Sequence, residues 1–258
     1  MRLFRLLMGA VLASSTLTAP AAAAPPEYVA LGDSYSSGTG AGSYTSLLCR
    51  RSANAYPALL AASRPGAAFR FAACSGATIP DVATKQLSAL SETATLVTIS
   101  IGGNDAGFAA AMLTCKYGNT SWCRSTLRRG REFVEKRLPA RLDSLYARIR
   151  SRAPQAEVVV VGYPRLYRQG GPCPGAPDST RRAMINEAAD ALARVLASRA
   201  AAAGFAFADA RPAFDGHEIC TPDPWIDASN VHPTATGHAR GYLPAVTAAA
   251  TSKAAQDA

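Results

Sequence analysis

The chain has 258 residues, of which 48% are hydrophobic and 17% charged. That balance excludes a disordered, collagenous or long coiled-coil protein, and the length is enough to bury a sizeable core. The formal charge is +9, but no run of five like charges occurs, and neither zinc-finger spacing nor an aromatic–basic repeat points to nucleic acid.

The N-terminus reads as an export signal, residues 1–24. Arg2 and Arg5 form a positive start, residues 6–17 an apolar stretch too short to span a bilayer, and Ala22-Ala23-Ala24 a small-residue cleavage site. Cleavage there leaves a secreted, extracellular mature chain, 25–258, with a charge of +7. Six cysteines follow, Cys49, Cys74, Cys115, Cys123, Cys173 and Cys220. An even count in an exported chain implies disulfides. Fifteen pairings exist, and the sequential one closes the shortest loops. The spacing suits no metal site.

Glu27-Tyr28-Val29-Ala30-Leu31 reads as a strand ending at Gly32, followed by a Gly/Ser-rich loop over 34–45. Tyr56-Pro57 opens a helix to about Ser63. A second strand is expected over 69–73, a weak helix over 81–90, and a β-branched third strand over 96–101. A short helix covers 106–113. Apolar spacing predicts one long helix over 124–150, with Pro139 at its proper start or as a kink. Residues 157–161 form a fourth, continuously apolar strand. A Pro/Gly-rich loop, a long helix over 179–203, a fifth strand over 205–209, an irregular stretch over 211–230 and an Ala-rich helix from about Ala235 complete the chain. Alternating strands and helices predict an α/β fold of one domain, with a parallel sheet covered on both faces.

In such sheets the site lies beyond the carboxyl ends of the strands. Gly32-Asp33-Ser34-Tyr35-Ser36-Ser37-Gly38 follows the first, Cys74-Ser75-Gly76 the second and Gly102-Gly103-Asn104-Asp105 the third. Asn230-Val231-His232-Pro233 precedes the last helix. Ester hydrolysis needs a nucleophile, a base and oxyanion donors. Ser34 offers the first, His232 the second, Gly76 a bare N–H and Asn104 a side-chain amide. No Gly-x-Ser-x-Gly elbow occurs.

These residues, in this order, resemble the SGNH hydrolase family, also called GDSL lipases and esterases. The resemblance runs from Tyr28 to about Tyr242 and includes Asn54-Ala55-Tyr56-Pro57. It implies a three-layer α/β/α sandwich with a flavodoxin-like, five-stranded parallel sheet. It also implies an acyl-enzyme mechanism on Ser34 and His232, with an oxyanion hole from Ser34, Gly76 and Asn104. The implied substrate is a lipid or small ester, with lipase, esterase and phospholipase A or B all fitting. No metal or organic cofactor is implied, a monomer is the expectation for a disulfide-stapled exported hydrolase, and the +7 charge favours transient contact with an anionic lipid surface.

One position departs from the family pattern. The Asp usually found three residues before the histidine is Ser229 here. By analogy with exported, three-disulfide actinomycete members, a main-chain carbonyl of Asn230 or Ser229 would orient His232, with Asp227 and Asp223 as carboxylate alternatives. A non-catalytic binding protein on the same scaffold is the competing class. Asp33 is expected to bond local backbone, His217 and His238 to be structural or surface residues, and Trp122 and Trp225 to pack.

Overall fold

The computed structural model describes residues 26–254; the expected signal peptide, 1–24, lies outside the described residues. The chain opens with strand β1 (Glu27–Gly32), helical turn α1 (Ser34–Ser37), hairpin strands β2 (Tyr44–Ser46) and β3 (Arg51–Ser52), helix α2 (Tyr56–Ala62) and strand β4 (Ala68–Phe71). Helix α3 (Ile79–Asp81) leads into a wider turn and a tighter one, and then comes β5 (Ala94–Ser100). Helices α4 (Phe108–Tyr117), α5 (Thr120–Lys136) and α6 (Leu138–Arg152) precede β6 (Glu157–Val161). Helix α7 (Ser179–Ala202), β7 (Ala206–Ala208), the ribbon strands β8 (Ile226–Asp227) and β9 (His232–Pro233), and α8 (Leu243–Ala254) follow.

Five of these strands form a parallel sheet in the order β4-β1-β5-β6-β7. Counted among themselves they run 2-1-3-4-5, the flavodoxin-like order. Helices α2 and α8 pack together on one face, and α5, α6 and α7 on the other. This is the expected three-layer α/β/α sandwich. The central strands are apolar throughout because both faces are covered: β1 is buried at every position, and Val158, Val159, Val160 and Val161 are all buried.

The chain order reverses between β1 and β5, and the two strands part there. Gly32 sits at that point with φ +122°, and a Cβ on it would lie 2.4 Å from the Ser100 carbonyl oxygen. Only glycine fits both restraints. The Gln86 side chain braces the backbone there, accepting from Gly32 N–H at 2.8 Å and donating to Gly32 C=O at 2.9 Å, which also accepts from Cys74 N–H at 3.0 Å.

Four expectations change. The stretch 34–45 is not all loop: Asp33 accepts from Tyr35 N–H and caps the turn α1. The single helix expected over 124–150 is two, α5 and α6, divided at Arg137, with Pro139 in the first turn of α6. Proline is tolerated there because the early N–H groups of a helix have no intrahelical acceptor. The last helix is preceded by a wide turn over 237–242. Trp122 is 65% exposed instead of packed, whereas Trp225 is buried against Phe214 and stacked on His217. The cysteines pair sequentially, Cys49–Cys74, Cys115–Cys123 and Cys173–Cys220. Among the described residues no helix is long and apolar enough to cross a membrane.

Candidate active site

The switch point fixes the first residue of the site. β1 delivers Asp33 and Ser34, and the αL cap at Gly38 ends α1 after a single turn. Ser34 therefore sits at the start of a helix, beside β5, with its hydroxyl 2.8 Å from His232 Nε2. The other ring nitrogen, Nδ1, lies 2.6 Å from the Asn230 carbonyl oxygen. An oxygen that can only accept fixes the proton on Nδ1 and leaves the Nε2 lone pair facing the serine hydroxyl. Burial holds the imidazole below its ordinary 6.5, against the opposing effects of the Asn230 carbonyl and of Asp227. The ring is thus a neutral base at pH 7.

No carboxylate bonds to the His232 ring among the described residues. Asp227 instead accepts from Ser229 N–H at 2.8 Å and from Asn230 Nδ2 at 2.8 Å, while its own carbonyl accepts from Val231 N–H at 2.7 Å. Asp223 serves Trp225 Nε1 at 3.1 Å. Of the two candidate carbonyls, that of Asn230 meets the ring and that of Ser229 does not. His217 and His238 stand apart from the chemistry. His238 is fully buried against Tyr56 and Tyr242, accepting from Tyr56 N–H at 3.2 Å, and burial lowers it to about 3.

Gly76 and Asn104 converge on the same end of the sheet. Gly76 has φ +81°, and no atom lies within 4 Å of a Cβ built on it. Among the described residues neither the N–H of Gly76 nor the N–H of Ser34 donates to the protein. Asn104 Nδ2 donates one proton to the Ala77 carbonyl at 3.0 Å and retains a second. Its neighbour Asp105, whose carboxylate accepts from Ile79 N–H at 3.0 Å, anchors the next residues of the same loop. Asn104 and Asp105 together tie the loop that carries Gly76 to the end of β5.

Two tyrosines and an aspartate complete the arrangement, and the sequence reading did not single out either tyrosine. Asp33 bonds local backbone as expected, but it also accepts from Ser100 Oγ at 2.8 Å and from Tyr163 OH at 2.5 Å. Burial pushes its carboxyl up to about 6 despite these bonds. The Tyr35 hydroxyl donates to the Val231 carbonyl at 2.7 Å, and its ring lies 5.1 Å from that of His232. Tyr163 stands two residues past the end of β6, so reading the ends of all five strands would have found it. An apolar cavity of about 80 Å³ runs from Ser34 under α4, lined by Tyr35, Phe108, Met112, Leu127, Ile185 and Leu192 among others.

The sequence model of the GDSL-like lipase/acylhydrolase family matches residues 30–240. The chain belongs to that family. It is a carboxylic ester hydrolase. A lipase of Streptomyces rimosus is 49% identical over 92% of this chain and 91% of its own length. Lipase 1 of Streptomyces coelicolor is 49% identical over 93% of each chain. In structure, the extracellular lipase of S. rimosus superposes with a TM-score of 0.85 at 50% identity, covering 87% of this chain and 99% of the other. The phospholipase A1 of Streptomyces albidoflavus superposes with a TM-score of 0.85 at 47% identity, covering 88% and 100%. The three disulfides match the three-disulfide actinomycete branch of the family.

Proposed function

We propose that the protein is an exported lipase or esterase in which Ser34 is the nucleophile and His232 the base. The observation that carries this reading is the chain of contacts Ser34 Oγ, His232 Nε2, His232 Nδ1 and Asn230 C=O, at 2.8 and 2.6 Å. Ser34 Oγ attacks the ester carbonyl carbon as its proton passes to Nε2. The oxyanion is held by the N–H groups of Ser34 and Gly76 and by the Asn104 amide. Collapse expels the alcohol, which takes the proton back from His232. Water, deprotonated by His232, then attacks the acyl-enzyme, releasing the carboxylic acid and restoring Ser34.

The Asn230 carbonyl performs the orienting task, fixing tautomer and ring direction, without supplying a full negative charge to imidazolium. The apolar cavity beneath α4 receives the acyl chain. Three disulfides suit an oxidising, extracellular setting, which agrees with the signal sequence. A fluorophosphonate probe followed by peptide mass spectrometry tests the nucleophile. An adduct on Ser34, and its loss together with turnover in Ser34→Ala, is the expected result. Turnover near wild type in Ser34→Ala would sink the assignment. A second reading, phospholipase A activity at the same site, is favoured by the relative from S. albidoflavus that carries the name phospholipase A1. Comparing phosphatidylcholine with triacylglycerol hydrolysis separates the two.

A further inference from the structure

Five large apolar side chains stand in water on the described surface: Leu47 at 79% exposure, Leu48 at 91%, Leu113 at 61%, Tyr117 at 76% and Trp122 at 65%. They fall on two tips. Leu47 and Leu48 form the end of the β2–β3 hairpin. The next residue, Cys49, is bonded to Cys74, and its carbonyl accepts from Ser75 N–H at 3.0 Å, one residue before Gly76. Leu113 and Tyr117 ride on α4 and Trp122 on the first turn of α5, where Cys115–Cys123 closes the hairpin. Phe108 and Met112 of that same α4 line the cavity below Ser34. Both tips therefore belong to segments that carry or wall the site.

Each tip also carries cations. Arg50 and Arg51 follow Leu48, and Lys116 and Arg124 flank the second group. None of these four side chains forms an ion pair among the described residues, although Arg50 lies over the Tyr44 ring and Lys116 over the Tyr117 ring. Lys116 shares a groove with Ser229, three residues before His232.

We propose that these two tips are the face by which the protein lands on an anionic lipid surface. The apolar side chains enter the boundary between headgroups and acyl chains, and Arg50, Arg51, Lys116 and Arg124 meet lipid phosphates. This rests on the reading of the protein as a lipid-ester hydrolase and adds the partner and its contact residues. Charge decides the occupant, since a second copy would set unpaired cations against cations. Tyr and Trp suit a boundary that is apolar on one side and wet on the other. The two disulfides fix the backbone at each tip, so insertion orders little chain.

The test uses the mature, disulfide-intact protein and vesicles of ether-linked phosphatidylglycerol and phosphatidylcholine, which offer no ester to cleave. Cosedimentation with these vesicles should exceed that with ether-linked phosphatidylcholine alone. The emission of exposed Trp122 should shift to the blue on binding and be quenched by brominated lipid. Leu47→Ser/Leu48→Ser and Tyr117→Ser/Trp122→Ser should each lower partitioning by about tenfold. Changing all four cations to Gln should lower it by about a hundredfold or more, an effect that high salt reproduces in the wild type. Turnover of a soluble short-chain ester should persist in every variant. Unchanged partitioning in the variants overturns the proposal, as does a wild-type dimer that the Leu47/Leu48 variant dissolves. Vesicle binding without any ester turnover would overturn the hydrolase reading and leave the docking face standing, whereas turnover without binding does the reverse.

Discussion

Tyr35→Phe removes one hydroxyl and keeps the ring that packs against His232 and Tyr163. That hydroxyl donates at 2.7 Å to the carbonyl of Val231, which sits between Asn230 and His232, the proposed orienting residue and base. Val231 has φ +57°, a left-handed conformation that a β-branched residue adopts at a cost of roughly 1–3 kcal/mol. Two bonds hold it there, Val231 N–H to Asp227 C=O and Tyr35 OH to Val231 C=O. Burial raises the Tyr35 phenol far above its ordinary range, so the group remains a donor at every working pH. Losing one bond withdraws about 0.5–1.5 kcal/mol from a turn that is already strained. The Asn230 carbonyl then samples positions that no longer fix the imidazole. If about 1.4 kcal/mol of this reaches the transition state, kcat on a soluble short-chain ester falls about tenfold. KM should stay within about twofold, because the hydroxyl points to the turn and not into the acyl cavity. The fluorophosphonate labelling rate should fall in parallel. Adding Val231→Gly relieves the strain and should restore part of kcat. An unchanged kcat, or a rise in KM with kcat intact, would refute the clamp.

Asn104→Ala deletes a proposed oxyanion donor and should lower kcat/KM by about 10²- to 10³-fold, measured under steady state; a loss below about fivefold would remove Asn104 from the hole. Asp227→Ala loosens the turn but strips no partner from the imidazole, so a loss of about tenfold is expected, and one approaching 10⁴-fold would mean that a carboxylate orients the base. The acid limb of kcat/KM should have its midpoint below 6.5, because the base must be neutral and burial lowers His232; a midpoint above 6.5 contradicts that environment. His238, lowered from 6.5 to about 3, stabilises the fold fully above pH 6.5, and that contribution fades as pH falls toward 3. It amounts to about 2 kcal/mol lost between pH 7 and 5, so denaturant melts of His238→Phe should show a shallower acid slope by that amount, with Asp33 contributing equally in both proteins.

The parts of this protein legible in its sequence are those where local pattern and tertiary role agree. Val158, Val159, Val160 and Val161 read as a buried strand because a central parallel strand needs apolar residues on both faces. Ser34, Gly76, Asn104 and His232 stand just past strand ends or before a helix, where an open α/β sheet puts its chemistry. The helix break at Arg137 was half legible: Pro139 marks a start or a kink, but apolar spacing continues across it from Val134 to Leu138 and Leu142. The turn at Ser34–Ser37 has few helix formers and exists through its Asp33 cap and the buried Tyr35 ring. The Tyr35 clamp joins residues 196 apart in sequence, and nothing local marks Val231 as left-handed.

The missing aspartate before His232 changes what the turn must do. A carboxylate on a side chain can reach the imidazole from several backbone geometries. A carbonyl cannot, because its direction is the direction of the main chain. Replacing one with the other therefore moves the demand for precision from a rotamer to φ and ψ of residues 229–231. The turn meets that demand with three bonds to Asp227, with Asn230 Oδ1 accepting from His232 N–H at 2.9 Å, and with the Tyr35 hydroxyl. Asp227 thus acts on His232 through the backbone it organises. Tyr35, beside Ser34, in turn holds the loop of His232, so a shift of α1 would carry Ser34 and His232 together. That coupling holds the 2.8 Å contact between them through one neutral hydroxyl.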